Sequence, residues 1–101
     1  MGSSHLNPVT WVFGFSDDGR YEFNSLDKTI QNQIKKKIDR ILLRQTNPAS
    51  SFKRLTGNLS HLYSLRVGDY RLICKIDGSR YVIIAVHVGH RRDVYEKTVY
   101  K

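Results

Sequence analysis

Four arginines, one histidine and one tyrosine in the C-terminal third of this chain have types and spacings that suit phosphate chemistry. Arg66 and Arg71 flank Gly68-Asp69; Arg91 and Arg92 follow Gly89-His90, and Tyr95 comes three residues later. A guanidinium binds a phosphate through paired hydrogen bonds, and an aromatic ring stacks on a base. Gly68-Asp69 reads as a two-residue hairpin loop, with glycine at the first position as type II′ turns prefer. The register then follows: Val67 faces Tyr70, Arg66 faces Arg71, Leu65 faces Leu72 and Tyr63 faces Cys74. Alternation sends Tyr63, Leu65, Val67, Tyr70, Leu72 and Cys74 to one side of the sheet. Arg66 and Arg71 go to the other side, directly opposed. Like charges paired across strands cost about 0.2–1 kcal/mol, so the two guanidiniums either spread into solvent or hold an anion between them.

The composition agrees with an anionic partner. Of 101 residues, 17 are Lys or Arg and 9 are Asp or Glu, a formal net charge of +8. Such an excess opposes compaction and attracts polyanions. Nucleic acid is the foremost of these, with an acidic protein or an anionic membrane surface as competitors. Cys74 is the single cysteine, which excludes an intrachain disulfide and favours the reducing cytoplasm. Its place on the apolar side of the hairpin makes it inert packing. No stretch approaches the ~18–20 apolar residues of a membrane span. His87 and His90 stand three apart, but no cysteine or carboxylate cluster completes a zinc site. No metal and no cofactor is expected. His90 could exchange a proton near neutral pH, although a plain hydrogen-bonded histidine is the simpler reading.

The elements that must position these residues follow from periodicity. Met1-Gly2-Ser3-Ser4-His5 resembles the start of an expression tag, so residues 1–8 are set aside as a tag remnant or a disordered N-terminus, and 9–101 are read as one domain. Val9, Trp11, Phe13 and Phe15 alternate within Val9–Ser16, a strand with one buried face, and Trp11 belongs to the core. Asp17-Asp18-Gly19 offers a cap for a short helix through Tyr21 and Phe23. Leu26, Ile30, Ile34, Ile38, Ile41 and Leu42 recur at three- and four-residue steps, which predicts a helix over Asp27–Gln45, capped by Asn24 or Ser25 and stopped by Asn47-Pro48. A polar connection, Thr46–Ser60, carries Lys53, Arg54 and a turn at Thr56-Gly57-Asn58. Three strand-like runs follow at His61–Val67, Tyr70–Ile76 and Arg80–Val88, then a short tail over Asp93–Tyr100. The order gives an α+β domain: a small antiparallel sheet of about four strands with two N-terminal helices on one face.

The segments Leu55-Thr56-Gly57, Tyr63–Ile73 and Val88–Tyr95 resemble the RelE/ParE toxin superfamily of type II toxin–antitoxin systems. The resemblance covers nearly everything from Val9 to Tyr95 and implies a fold like that of the microbial ribonucleases. For the RelE branch it implies an endoribonuclease that cleaves mRNA in the ribosomal A site. There the ribose 2′-hydroxyl attacks the adjacent phosphate, without metal, to leave a 2′,3′-cyclic phosphate and a 5′-hydroxyl. Such a reaction needs a proton acceptor, charge stabilisation and a proton donor. By motif position Arg71 matches the arginine that stabilises the transition state, and Arg91 the second arginine, at the scissile phosphate and the leaving group. Tyr95 matches the tyrosine that stacks on the base or joins the proton transfer. Arg66 matches one of two basic residues on the preceding strand; the other position is Ser64 here, which leaves the general base unassigned. Lys53, Arg54, His90 and Arg92 are the expected contacts to RNA and the ribosome. The partners implied are an acidic, partly disordered antitoxin encoded nearby, the ribosome with its 16S rRNA, and mRNA, with no membrane and a cytoplasmic location. The alternative is the ParE branch, which shares the fold but poisons DNA gyrase and is not a nuclease.

Overall fold

A computed structural model describes residues 10–44 and 47–94. Tyr95, the tail that follows it, Gln45 and the proposed tag remnant lie outside the described residues. Strand β1 spans Val12–Phe15, helix α1 Asp17–Asn24 and helix α2 Lys28–Arg44. Strands β2 (Lys53–Arg54), β3 (Tyr63–Val67), β4 (Tyr70–Asp77) and β5 (Val82–His90) complete one sheet in the order β1-β5-β4-β3-β2.

The sheet corrects the expectation of about four antiparallel strands. It has five, and it is mixed, because β1 runs parallel to β5 while the other neighbours are antiparallel. The pair α1–α2 carries the chain from β1 to β2 at the far edge of the sheet, and β5 returns beside β1 only after β3 and β4. Strand β2 is two residues long, too short to leave a periodic signature inside the polar connection.

Local chemistry sets the helix ends, and here too the structure corrects the sequence reading. Ser16, not the Asp-Asp-Gly run, caps α1: its Oγ accepts the Gly19 N–H at 3.1 Å. Asp17 and Asp18 then sit in the first turn, where the helix dipole favours carboxylates. Ser25 caps the C-terminal end of α1. Asp27 rather than Asn24 or Ser25 stands before α2, and its carbonyl accepts from the Gln31 N–H at 2.9 Å. The buried Gln31 side chain fastens the joint between the helices, its Nε2 donating to the carbonyls of Leu26 at 2.9 Å and Asn24 at 3.3 Å.

Both helices cover the same side of the sheet. Phe23 from α1 and Ile34, Ile38 and Ile41 from α2 bury against Leu65, Val67, Leu72, Cys74, Ile83, Ala85 and Val88. Trp11, Phe13 and Phe15 close the margin of this core, and Trp11 meets the Tyr81 ring edge-on at 5.3 Å. Burial pushes the Cys74 thiol far above its ordinary pKa, so it remains a protonated packing group. Gly19 lets α1 approach β5: a Cβ there would lie 2.3 Å from the Ala85 carbonyl oxygen. No helix among the described residues is long and apolar enough to cross a membrane.

Candidate functional site

The β3–β4 hairpin positions the first two arginines. Gly68 takes φ +60° while Asp69 stays out of the left-handed region, as a type II′ turn needs. The register is the one the loop dictates: Tyr63↔Cys74, Ser64↔Ile73, Leu65↔Leu72, Arg66↔Arg71 and Val67↔Tyr70. Arg66 is exposed, and its Nε donates to the Gly68 carbonyl at 3.4 Å. Arg71 is half-buried, with its Nε shielded from solvent. The two guanidiniums therefore leave one side of the sheet from facing positions, away from the helices.

A β-bulge on β5 completes this face. Ile73 pairs with His87 but Cys74 pairs with Ala85, so Val86 is the extra residue. One inserted residue reverses the alternation that follows. Ala85 and Val88 both reach the helix side, whereas His87 and Gly89 turn to the arginine side. Gly89 consequently stands opposite Arg71.

The remaining predicted residues divide between the two faces. Lys53 pairs with Ser64 and Arg54 with Tyr63. Lys53 thus shares the face of Arg66 and Arg71, beside the position where the resemblance expects a base and the chain has serine. Arg54 points the other way; it lies 5.7 Å from the Tyr63 ring centroid and its Nε donates to the Ser60 carbonyl at 2.6 Å. Strand β5 runs through His90, past the end predicted at Val88, and residues 91–94 form a helical turn where a tail was expected. The Arg91 N–H donates to the Asp69 carbonyl at 2.9 Å, which ties that turn to the hairpin loop. Arg91 and Arg92 are exposed there. His90 pairs with Tyr70 on the helix side, with ring centroids 5.7 Å apart, so it is separated from Arg66 and Arg71 by the sheet. His87 and His90 face opposite sides and cannot share a metal. No group of three or more His, Cys, Asp or Glu among the described residues is placed to hold one.

Of the residues that shape this region, Glu22 carries no sequence signal that singles it out. Glu22 on α1 reaches the edge of β5 beyond the end of β1, where its Oε1 accepts the Val88 N–H at 2.8 Å and lies 3.4 Å from His87 Nδ1. His87 is buried, and its Nδ1 makes no hydrogen bond among the described residues in spite of the nearby carboxylate. Ser64 Oγ is buried with no hydrogen-bond partner among the described residues. An unsatisfied hydroxyl of this kind costs about 1–3 kcal/mol. Beneath these groups lies a second, smaller core of Leu62, Ile73 and Val94, flanked by Leu55, Leu59 and Val86. It anchors the 91–94 turn onto the arginine face.

Comparison with known proteins agrees with this architecture. The family model described as "ParE toxin of type II toxin-antitoxin system, parDE" matches residues 15–95. A chain of the RelBE2 toxin–antitoxin complex from Mycobacterium tuberculosis is 23% identical, with 84% of this chain and 95% of that chain covered and a TM-score of 0.66. A mutant form of the E. coli toxin RelE in the free state is 25% identical, over 91% of this chain and 97% of that chain, again with a TM-score of 0.66. YafQ from E. coli shares the fold at 12% identity, over 84% and 98% of the two chains, with a TM-score of 0.64. No match is found among curated protein sequences. With a family model spanning most of its length and a fold matched to RelE, this chain belongs to the ParE toxin family of type II toxin–antitoxin systems, within the RelE/ParE superfamily.

Proposed function

We propose that the protein is a ribosome-dependent endoribonuclease of the RelE type, which cleaves mRNA in the A site and so arrests translation. The observation that carries this reading is the cationic face of the sheet, where Arg66 opposes Arg71, Lys53 stands beside Ser64, and Arg91 is tethered to the hairpin loop. Arg71 is the group for the charge that builds on the phosphorane, since a half-buried guanidinium meets an anion with less screening than an exposed one. In this reading Arg66 and Lys53 hold flanking phosphates, and Arg91 serves the leaving oxygen. Tyr95 follows the 91–94 turn in sequence and is the candidate for stacking or proton transfer. The partner that keeps such a toxin in check is an acidic, partly disordered antitoxin covering these cations in the cytoplasm; several of the similar solved structures are toxin–antitoxin complexes.

A second reading follows from the family description itself, which names ParE: a toxin that binds DNA gyrase without nuclease activity. One experiment separates the two. Wild type and Arg71→Ala are added to a translating extract and the mRNA is mapped by primer extension. Cuts within codons that vanish in Arg71→Ala support the nuclease. Intact mRNA together with gyrase-linked DNA breaks supports the second reading and removes the first.

A further inference from the structure

A cavity of about 330 Å³ opens on the helix side of the sheet, at the same end as the arginines but on the opposite face. Its walls include Tyr21, Glu22, Tyr70, His90 and Asp93, over a floor of Val88 and Gly89. That volume lies at the small end of the ~300–1,000 Å³ range of small-ligand sites, enough for one base and not for a run of nucleotides. Three aromatic rings, those of Tyr21, Tyr70 and His90, gather at this cavity. Tyr21 is 76% exposed, so core packing does not account for it. Tyr70 and His90 meet edge-to-face at an interplanar angle of 75°.

The polar groups are equally specific. The Arg92 N–H donates to His90 Nδ1 at 3.4 Å, which leaves the ring proton on Nε2. Glu22 Oε1 is occupied by the Val88 N–H. Asp93, an exposed carboxylate in a chain of charge +8, has no ion-pair partner among the described residues. It stands directly after Arg91 and Arg92, so an acceptor for base donors sits beside cations for phosphate.

We propose that this cavity is a nucleobase subsite that selects guanine on the RNA strand held by the arginine face. Guanine alone presents two adjacent donors, N1–H and the 2-amino group, which match the two oxygens of Asp93, with the carbonyl O6 next to them for the Nε2–H of His90. Uracil places carbonyls on both sides of its single N–H and meets the carboxylate unfavourably. Tyr21 and Tyr70 supply the stacking surfaces. Because Tyr70 and Arg71 are consecutive on β4 and face opposite sides, a strand crossing the end of the sheet sets a phosphate at Arg71 and turns a neighbouring base towards Tyr70. The assignment rests on the nuclease reading for its place in the reaction, but its base selectivity stands as a binding property of the free protein.

Two measurements test it. In the translating extract, cleavage sites of the wild type are expected to be enriched in guanine at one position beside the cut. Asp93→Asn and Tyr21→Ala each lower the guanine-to-uracil ratio at that position by about tenfold, the discrimination carried by a good bidentate base contact. A ratio unchanged in both variants overturns the proposal. Independently of any cleavage, titration of the purified protein with guanosine monophosphate is expected to shift the ring resonances of Tyr21 and Tyr70, and uridine monophosphate is not. Equal shifts with both nucleotides, or none with either, overturn the subsite, as does an antitoxin affinity that falls in Tyr21→Ala while base preference stays constant. Absence of mRNA cleavage together with selective guanosine binding removes the nuclease reading and leaves the subsite standing.

Discussion

The two sides of the sheet solve different problems with the same strands. On the helix side, Leu65, Leu72, Cys74, Ile83 and Ala85 are sealed beneath α1 and α2, and Gln31 is the polar side chain buried at the joint between the helices. On the other side, three buried residues support a surface where two guanidiniums face each other, and the Ser64 hydroxyl and His87 Nδ1 are buried without hydrogen bonds among the described residues. The core of the first side supplies stability. The second gives some of that stability up, since like charges in register and an unsatisfied Oγ both oppose folding. Strain confined to one side of a rigid sheet is the pattern expected of a binding or catalytic surface.

This contrast is open to attack from either side. The largest effect belongs to the helix side: Leu72→Ala, at a fully buried position, is expected to cost about 2–5 kcal/mol in denaturant unfolding. A loss below about 1 kcal/mol would mean that the core is not where stability resides. Next, Arg71→Ala should reduce toxicity and codon cleavage by about 10²–10³-fold, the effect of losing one preorganised charge stabiliser. Its unfolding midpoint should stay near that of the wild type, and a collapse in stability would make Arg71 structural. Ser64→Ala removes the orphaned hydroxyl and is expected to stabilise the fold by about 1 kcal/mol; destabilisation would reveal an unsuspected partner for Oγ. Arg66→Glu places opposite charges in register with Arg71 and should add about 0.2–1 kcal/mol in low salt while abolishing toxicity. Higher toxicity would exclude Arg66 from the site.

The smallest effect lies in the β4–β5 turn. Hydrogen bonds, the Ser79 hydroxyl foremost, hold the Asp77 carboxyl below its usual pKa. A depressed folded-state pKa contributes stability above the unfolded value near 3.9, and that contribution is lost as pH falls through the folded value. The wild type should therefore lose slightly more thermal stability than Asp77→Asn between pH 7 and pH 3. Equal losses would show that the turn does not depend on the charge.

Legibility of the sequence followed the locality of each signal. The β3–β4 register was readable residue by residue, because a two-residue loop allows one pairing and Gly68-Asp69 marks it. The α2 stripe was readable for the same reason, its period lying within one element. The bulge at Val86 was not, because an inserted residue leaves no compositional trace in a run of Val, Ile and Ala. That one feature decides that Gly89 rather than Val88 faces Arg71, and that His90 departs to the other side. The parallel pairing of β1 was equally hidden, since nothing in Val12–Phe15 names its neighbour. Lys53 and Arg54 looked equivalent in a loop, and only the two residues of β2 assign them to opposite sides.

The parallel union of β1 with β5 has a consequence in time. Ser16 and Val86, which share a hydrogen bond across this junction, are 70 residues apart in sequence. At a synthesis rate of about 5–20 residues per second, several seconds pass between the making of the first strand and the arrival of its partner. The β3–β4 hairpin needs only neighbouring residues to close, whereas Gly89 and the Arg91 tether come later in the chain. The cationic surface is therefore incomplete until β5 has been made and the sheet has closed.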